Sequence, residues 1–242
     1  MAWPITFADV LAARDRIRPH LAPTPLRSYA PLDAAVGAGI RLLVKHENHC
    51  PTGAFKARNG MAVMTALGTE ERRQGVVAAT RGNHGAGLAW AGQIVGVPVT
   101  VCVPRGNNLE KNEVMRGFGA ELVEEGRDYD AAVEVADRLV TERGLRLVHS
   151  SNEPQVLAGA ATLSLEVMEE APALDAMVIA VGGGSQAVGA ITVARERRPA
   201  LKVYGVQAKG ADGTTPVGPS RYTSVTDRVA PWIRCSCVLM PG

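Results

Sequence analysis

Three short stretches of the chain carry residue types that do chemistry. The first is Pro51-Thr52-Gly53-Ala54-Phe55-Lys56-Ala57-Arg58-Asn59-Gly60. Here Lys56 follows a Pro/Gly-rich turn and opens an apolar helical run, Met61 to Leu67, that would partly desolvate its ammonium. Burial disfavours the charged form, so such an amine becomes a nucleophile near neutral pH. Phe55 offers a flat face on which a planar cofactor stacks. Taken alone, a lysine beside a helix reads as a surface charge and the phenylalanine as core.

The second stretch, Thr80-Arg81-Gly82-Asn83-His84-Gly85, falls where an apolar strand turns into a helix. In open parallel sheets ligands bind outside the carboxyl ends of strands. Gly82 allows close approach of a ligand, and Thr80, Asn83 and the helix amides can hydrogen-bond a carboxylate. A plain helix cap with an exposed His84 is the competing reading. The third, Gly182-Gly183-Gly184-Ser185, follows a buried strand and opens another helix, a cradle of bare amides suited to phosphate. Its rivals fare worse. A dinucleotide fingerprint through Gly182, Gly184 and Ala187 wants an acid after the next strand, where Gln207 stands, and no Lys-Ser/Thr pair follows for a Walker loop.

These stretches must be positioned by a folded chain. Its 242 residues, 46% of them hydrophobic, suffice for a sizeable core. The net charge of +2 is spread over mixed signs without a basic block, which argues against nucleic acid. The four cysteines, Cys50, Cys102, Cys235 and Cys237, lack zinc or redox spacing and read as reduced thiols. With neither a signal-peptide layout nor a membrane-spanning run, the expectation is a soluble cytoplasmic protein.

Helical periodicity over Phe7, Val10, Leu11 and Ile17, with a capping box from Thr6 to Asp9, predicts an N-terminal helix ended by Pro19 and Pro23. Ile40 to Lys45 reads as a strand. After Lys56 helices and strands alternate: helix to Leu67, strand Val76–Ala79, helix His84–Val95, strand Val99–Val103, helix Leu109–Phe118, strand Glu121–Val123 and helix Tyr129–Arg143. Strand Leu145–Val148, helix Pro154–Glu169, strand Ala176–Val181, helix Gln186–Arg197 and strand Lys202–Gln207 follow. This predicts an α/β fold of parallel sheet with helices on both faces. Beyond Gln207, Gly and Pro punctuate a stretch without apolar period, expected to be a poorly ordered tail.

A lysine, a Gly-Asn-His turn and a glycine loop in this order resemble the pyridoxal-phosphate-dependent threonine/serine dehydratase and serine racemase family, of the tryptophan-synthase-β fold. The resemblance runs from about Asp9 to Gly210 and includes Thr24-Pro25-Leu26 and Lys45-His46-Glu47-Asn48. It implies two open parallel-sheet domains: 1–56 and 151–210 in a large domain, 57–150 in a small one, and 211–242 an atypical tail where the large domain is incomplete. It further implies that Lys56 carries pyridoxal 5'-phosphate, Phe55 packs on its ring, and Asn83 bonds its phenolic oxygen. The amides of Gly182, Gly183, Gly184 and Ser185 would hold the phosphate, with Thr80, Arg81, Gly82 and His84 around a small amino-acid substrate. Such an enzyme would convert a β-hydroxy amino acid, such as L-threonine or L-serine, to a 2-oxo acid and ammonia.

The chain also departs from the family. Serine racemases carry a serine before the Gly-Asn-His turn, where this chain has Arg81, whose permanent charge is a poor proton shuttle. Arg81 either pairs with a second carboxylate, as in 3-hydroxyaspartate, or faces outward. Some relatives have a metal site with an acid where Gln207 stands, so no metal is expected. Family members usually continue further, with a Ser/Gly-rich strand that supplies a partner for the pyridine nitrogen. Ser236 in Cys235-Ser236-Cys237 does not fit that pattern. A truncated end would leave a sheet edge and an apolar face open, favouring aggregation or a homodimer. The alternatives are a β-replacement enzyme such as cysteine synthase and a non-catalytic remnant of a dehydratase.

Overall fold

The computed structural model describes residues 3–208 and 235–239. Helix α1 (Phe7–Ile17) starts at the expected capping box, in which Thr6 Oγ1 accepts from the Asp9 amide while Asp9 accepts from the Thr6 amide. Next come strand β1 (Leu26–Ser28), helix α2 (Ala30–Val36) and strand β2 (Leu43–Lys45), the two strands forming an antiparallel ribbon. The predicted strand from Ile40 is thus shorter, and α2, with Pro31 in its first turn and Gly37 after its end, was not anticipated.

Helix α3 (Lys56–Ala66) carries the lysine at its first position. It stops at Leu67, and α4 (Thr69–Gln74) begins anew, because the Glu71 carboxylate accepts from the Gly68 amide. Then follow β3 (Val76–Ala79), α5 (Asn83–Val95), β4 (Val99–Val103), α6 (Leu109–Gly117), β5 (Glu121–Glu124), α7 (Tyr129–Arg143) and β6 (Arg146–Leu147). The strands of this segment form one parallel sheet in the order β5-β4-β3-β6. Alternation along them sends Val77 and Cys102 to α7, and Val76, Ala78 and Val101 to a core shared with α3 and α5. Helices on both faces are therefore as expected here.

Helix α8 (Pro154–Glu170) leads into β7 (Ala176–Ala180), α9 (Ser185–Arg197) and β8 (Lys202–Ala208), with β7 and β8 parallel. Met177 and Ile179 pack with α8 and α9, whereas Ala176, Val178 and Ala180 are exposed, Val178 by 67%. Among the described residues this second sheet has helices on one face only, a correction to the two-faced expectation. A second correction concerns the end of the chain. Cys235–Leu239 forms β9, antiparallel to β8, with Ser236 opposite Gln207. The rest of the expected tail, 209–234 and 240–242, lies outside the described residues. Among the described residues no helix is long and apolar enough to cross a membrane.

What places Lys56 is the crossing of α3 with α5. Gly60 and Gly87 face one another so closely that a Cβ at Gly60 would lie 2.1 Å from the Gly87 carbonyl oxygen. A Cβ at Gly87 would lie 2.2 Å from the carbonyl oxygen of Lys56 itself. On its other side α3 meets α8, where Gly159 abuts the Arg58 carbonyl and Ala62.

Candidate active site

Lys56 Nζ reaches across the fold. It donates to the Ser150 carbonyl oxygen at 3.1 Å and to Ser185 Oγ at 3.3 Å, and lies 5.2 Å from the centre of the Phe55 ring. Burial, with no carboxylate beside it, brings the lysine down to about 8. A substantial fraction is then the free amine in mildly alkaline water. Condensation with an aldehyde is expected to speed up as pH rises through about 8 and to level off above it. Stopped-flow absorbance checks this, and Lys56→Arg, which stays charged, should give no signal.

Ser185 is the first residue of α9 and is buried. The turn before it fits an anion. Gly184 has φ of 90°, a left-handed value that side chains resist, and among the described residues, chain neighbours apart, nothing lies within 4 Å of where a Cβ would stand at Gly182 or Gly184. At Gly183 a Cβ would sit 2.1 Å from Ser151 Oγ, so Ser151 is the floor of the cradle. The first amides of a helix have no partner inside it and carry partial positive charge. An anion held by 182–185 therefore lies beside the lysine amine.

The second turn meets the same region from the α5 side. Thr80 is buried; its amide donates to the Cys102 carbonyl and its Oγ1 accepts from the Gly82 amide at 3.1 Å. Asn83 is exposed and its Oδ1 accepts from Lys111 Nζ at 2.9 Å. Arg81 points outward, its charge helping to hold the Asp128 carboxyl low after the Ala131 amide and Arg127. His84 is fully enclosed. Its Nε2 lies 3.2 Å from the Val148 carbonyl oxygen, which can only accept, so Nε2 carries the proton, and Nδ1 has no partner among the described residues. Burial, then the nearby Lys56 charge, pushes His84 down to about 3, so the ring is neutral.

Sequence reasoning missed the segment that joins these parts. Val148, Ser150 and Ser151 respectively accept from His84, accept from Lys56 and floor the glycine loop. His149 Nδ1 accepts from the Ser151 and Asn152 amides and fixes the bend. It also missed the ion network under Lys56. Arg58, 1% exposed, donates to Glu47 from Nε (2.7 Å) and Nη2 (2.9 Å) and to Glu166 from Nη1 (2.5 Å) and Nη2 (2.8 Å). Lys45 Nζ adds a contact to Glu166 at 2.8 Å. An arginine inside an apolar helical run was the available signal. Burial alone would raise Glu47, but the Arg58 hydrogen bonds and charge outweigh it and hold the carboxyl below its ordinary value. Cys50 and Cys102 are buried thiols, pushed up by burial to about 12 and about 11, and are not nucleophiles near neutral pH.

Residues 17–237 match the sequence profile of the family described as pyridoxal-phosphate dependent enzyme. The chain belongs to that family. A pyridoxal-phosphate enzyme needs an amine for the aldehyde and an anion site for the phosphate, and the residues present fit both. The L-threonine ammonia-lyase of Thermotoga maritima is 38% identical over 205 residues, covering 85% of this chain and 51% of the relative. The L-threo-3-hydroxyaspartate ammonia-lyase of Saccharomyces cerevisiae is 33% identical over 209 residues, covering 86% and 64%. Among solved structures, maize serine racemase superposes with a TM-score of 0.84 at 30% identity, covering 87% of this chain and 63% of that one. The chain thus spans about half the length of the threonine ammonia-lyase it matches. The expected fold class, α/β with parallel sheets of the tryptophan-synthase-β type, holds in this pyridoxal-phosphate-dependent chain.

Proposed function

We propose that the chain is the Lys56-bearing part of a pyridoxal-phosphate-dependent ammonia-lyase acting on a small β-hydroxy amino acid, such as L-threonine or L-serine. The observation that carries this reading is the position of Lys56 Nζ, a partly buried amine within 3.3 Å of the first residue of the glycine-loop helix. In it, Lys56 carries the cofactor, Phe55 packs on the ring, Asn83 bonds the phenolic oxygen, and the amides of Gly182, Gly183, Gly184 and Ser185 hold the phosphate. Bound there, pyridoxal phosphate supplies a conjugated cation that accepts charge from the substrate α-carbon.

The residues of the chain do the rest. Thr80, through its hydroxyl proton, holds the substrate carboxylate at the head of α5, where the helix dipole favours an anion and Gly82 leaves room for it. His84 is given a positioning role, because its one N–H is committed to Val148 and leaves no donor for a carboxylate. The Lys56 amine, when free beside the substrate, would take the α-proton as the general base. The β-hydroxyl takes up a proton and leaves as water, and another water hydrolyses the released imine to a 2-oxo acid and ammonia. Two domains with the boundaries given above, and a homodimer with a small amino-acid substrate, belong to the same proposal.

The test is appearance of 2-oxo acid on adding L-threonine or L-serine to the cofactor-loaded protein, with Lys56→Ala as control. Product only with Lys56 supports the lyase; no product from a loaded protein supports the β-replacement or remnant readings. One further comparison tests Arg81, whose outward position favours the reading without a second carboxylate. If it receives a second carboxylate, 3-hydroxyaspartate turns over faster than threonine, and Arg81→Ala lowers that ratio at least about tenfold, the loss of one charge-assisted pair. Equal ratios in both proteins remove the diacid reading.

A further inference from the structure

Lys111 stands in the first turn of α6, where the helix dipole disfavours a cation, so its place there does not serve the helix. Its partners are few. Among the described residues it has no carboxylate within ion-pair distance, and the bond its ammonium makes is to Asn83 Oδ1 at 2.9 Å. Its stem lies over the turn, with Cγ and Cδ 3.5 Å from where a Cβ would stand at Gly82. The first turn of α6 is itself held: Asn108 Oδ1 accepts from the Lys111 amide at 3.0 Å, and Asn107 donates to Asn112 Oδ1 at 2.7 Å. Nothing on α5 competes, since among the described residues the Asn83 side chain makes no other hydrogen bond.

An ammonium only donates, so the end of the carboxamide that it touches must be the oxygen. This fixes which end of Asn83 is left free: the NH2 group, a donor that the ammonium further polarises. We infer that Lys111 is a positioning residue, which through Asn83 Oδ1 holds the Asn83 NH2 ready to donate to the phenolic oxygen of the cofactor. The inference rests on the cofactor assignment proposed above. Without Lys111 the carboxamide is free to turn its oxygen toward the cofactor oxygen, where two acceptors repel. The effect is thus on the bound cofactor before any substrate is present.

The experiment is a double-mutant cycle on cofactor affinity. Pyridoxal phosphate is titrated into cofactor-stripped protein, followed by absorbance, for the original chain, Lys111→Met, Asn83→Ala and the double variant. Lys111→Met is expected to bind about five- to tenfold more weakly, the worth of one hydrogen bond, and Lys111→Arg, which still donates, to restore most of the loss. In the Asn83→Ala background the Lys111→Met change is expected to do nothing, the sign of action through Asn83 rather than on the ligand or the fold. Two results would overturn the inference while leaving the cofactor reading intact: affinity unchanged by Lys111→Met, or an equal loss in both backgrounds. If the original chain binds no cofactor, the reading and the inference fall together.

Discussion

Gly87→Ala is expected to destabilise the chain by about 2–3 kcal/mol and to cost most of its cofactor binding. Two effects oppose each other. Alanine is the better helix former by about 1 kcal/mol, which alone would stabilise α5. Yet the added carbon would stand 2.2 Å from the Lys56 carbonyl oxygen, a backbone atom that cannot swing aside. Overpacking of this kind typically costs 1–3 kcal/mol, and here both helices must part. Separation moves the first turn of α3 away from the head of α5, so Lys56 no longer faces the Asn83 turn. Gly60→Ala should behave alike, its carbon standing 2.1 Å from the Gly87 carbonyl oxygen. The control is Gly117→Ala, where no other part of the described residues lies within 4 Å and the effect should stay within about 1 kcal/mol. Urea midpoints and a cofactor titration on the three variants check the order.

Arg58→Leu is expected to lose about 3–5 kcal/mol, because Glu47 and Glu166, both largely shielded from water, would lose their fork of donors. Such a loss is a large share of ordinary domain stability. Lys45 still pairs with Glu166, so the greater damage falls on Glu47, which keeps Thr24 and Cys50 as its remaining donors. Arg58→Lys should recover only part, since one ammonium cannot replace the planar fork. The pH dependence gives a second signature. Folding lowers the Glu47 pKa from its ordinary 4.5, so the unfolded chain takes up the proton first on acidification. That stabilisation is complete above the ordinary value and is lost as pH falls through the folded one. In Arg58→Leu burial acts on Glu47 without the arginine, so the slope of stability against pH in that acidic window should flatten or reverse. Denaturant unfolding at a series of pH values measures it.

Much of this was legible in the residues. Strands such as Val76–Ala79 and Val99–Val103 and helix Tyr129–Arg143 have the bounds their apolar periods predict. Those patterns are set by burial in a parallel sheet, a strong and local signal. The helix starts at Asn83 and Ser185 were legible for a similar reason: turns that open helices after apolar strands have few substitutes for glycine. What was not legible depends on distant partners. Helix α2 and the break at Gly68 rest on one or two capping contacts. The tie from Lys56 to Ser150 joins residues 94 positions apart, and that from Arg58 to Glu166 residues 108 apart. Lys111 did leave a trace, a cation in the wrong turn of its helix, whose meaning depends on where Asn83 lies. The pairing of Cys235–Leu239 with β8 had no trace in a stretch punctuated by Gly and Pro.

The central claim is that Lys56 is the amine that carries pyridoxal phosphate. The most direct measurement is to load the protein with the cofactor, reduce with borohydride, digest, and locate the modified lysine by mass spectrometry. The account predicts one pyridoxyl phosphate group, on the peptide containing Lys56, and none in Lys56→Ala. Modification spread over Lys45, Lys111 and Lys202, or unchanged in Lys56→Ala, would contradict it.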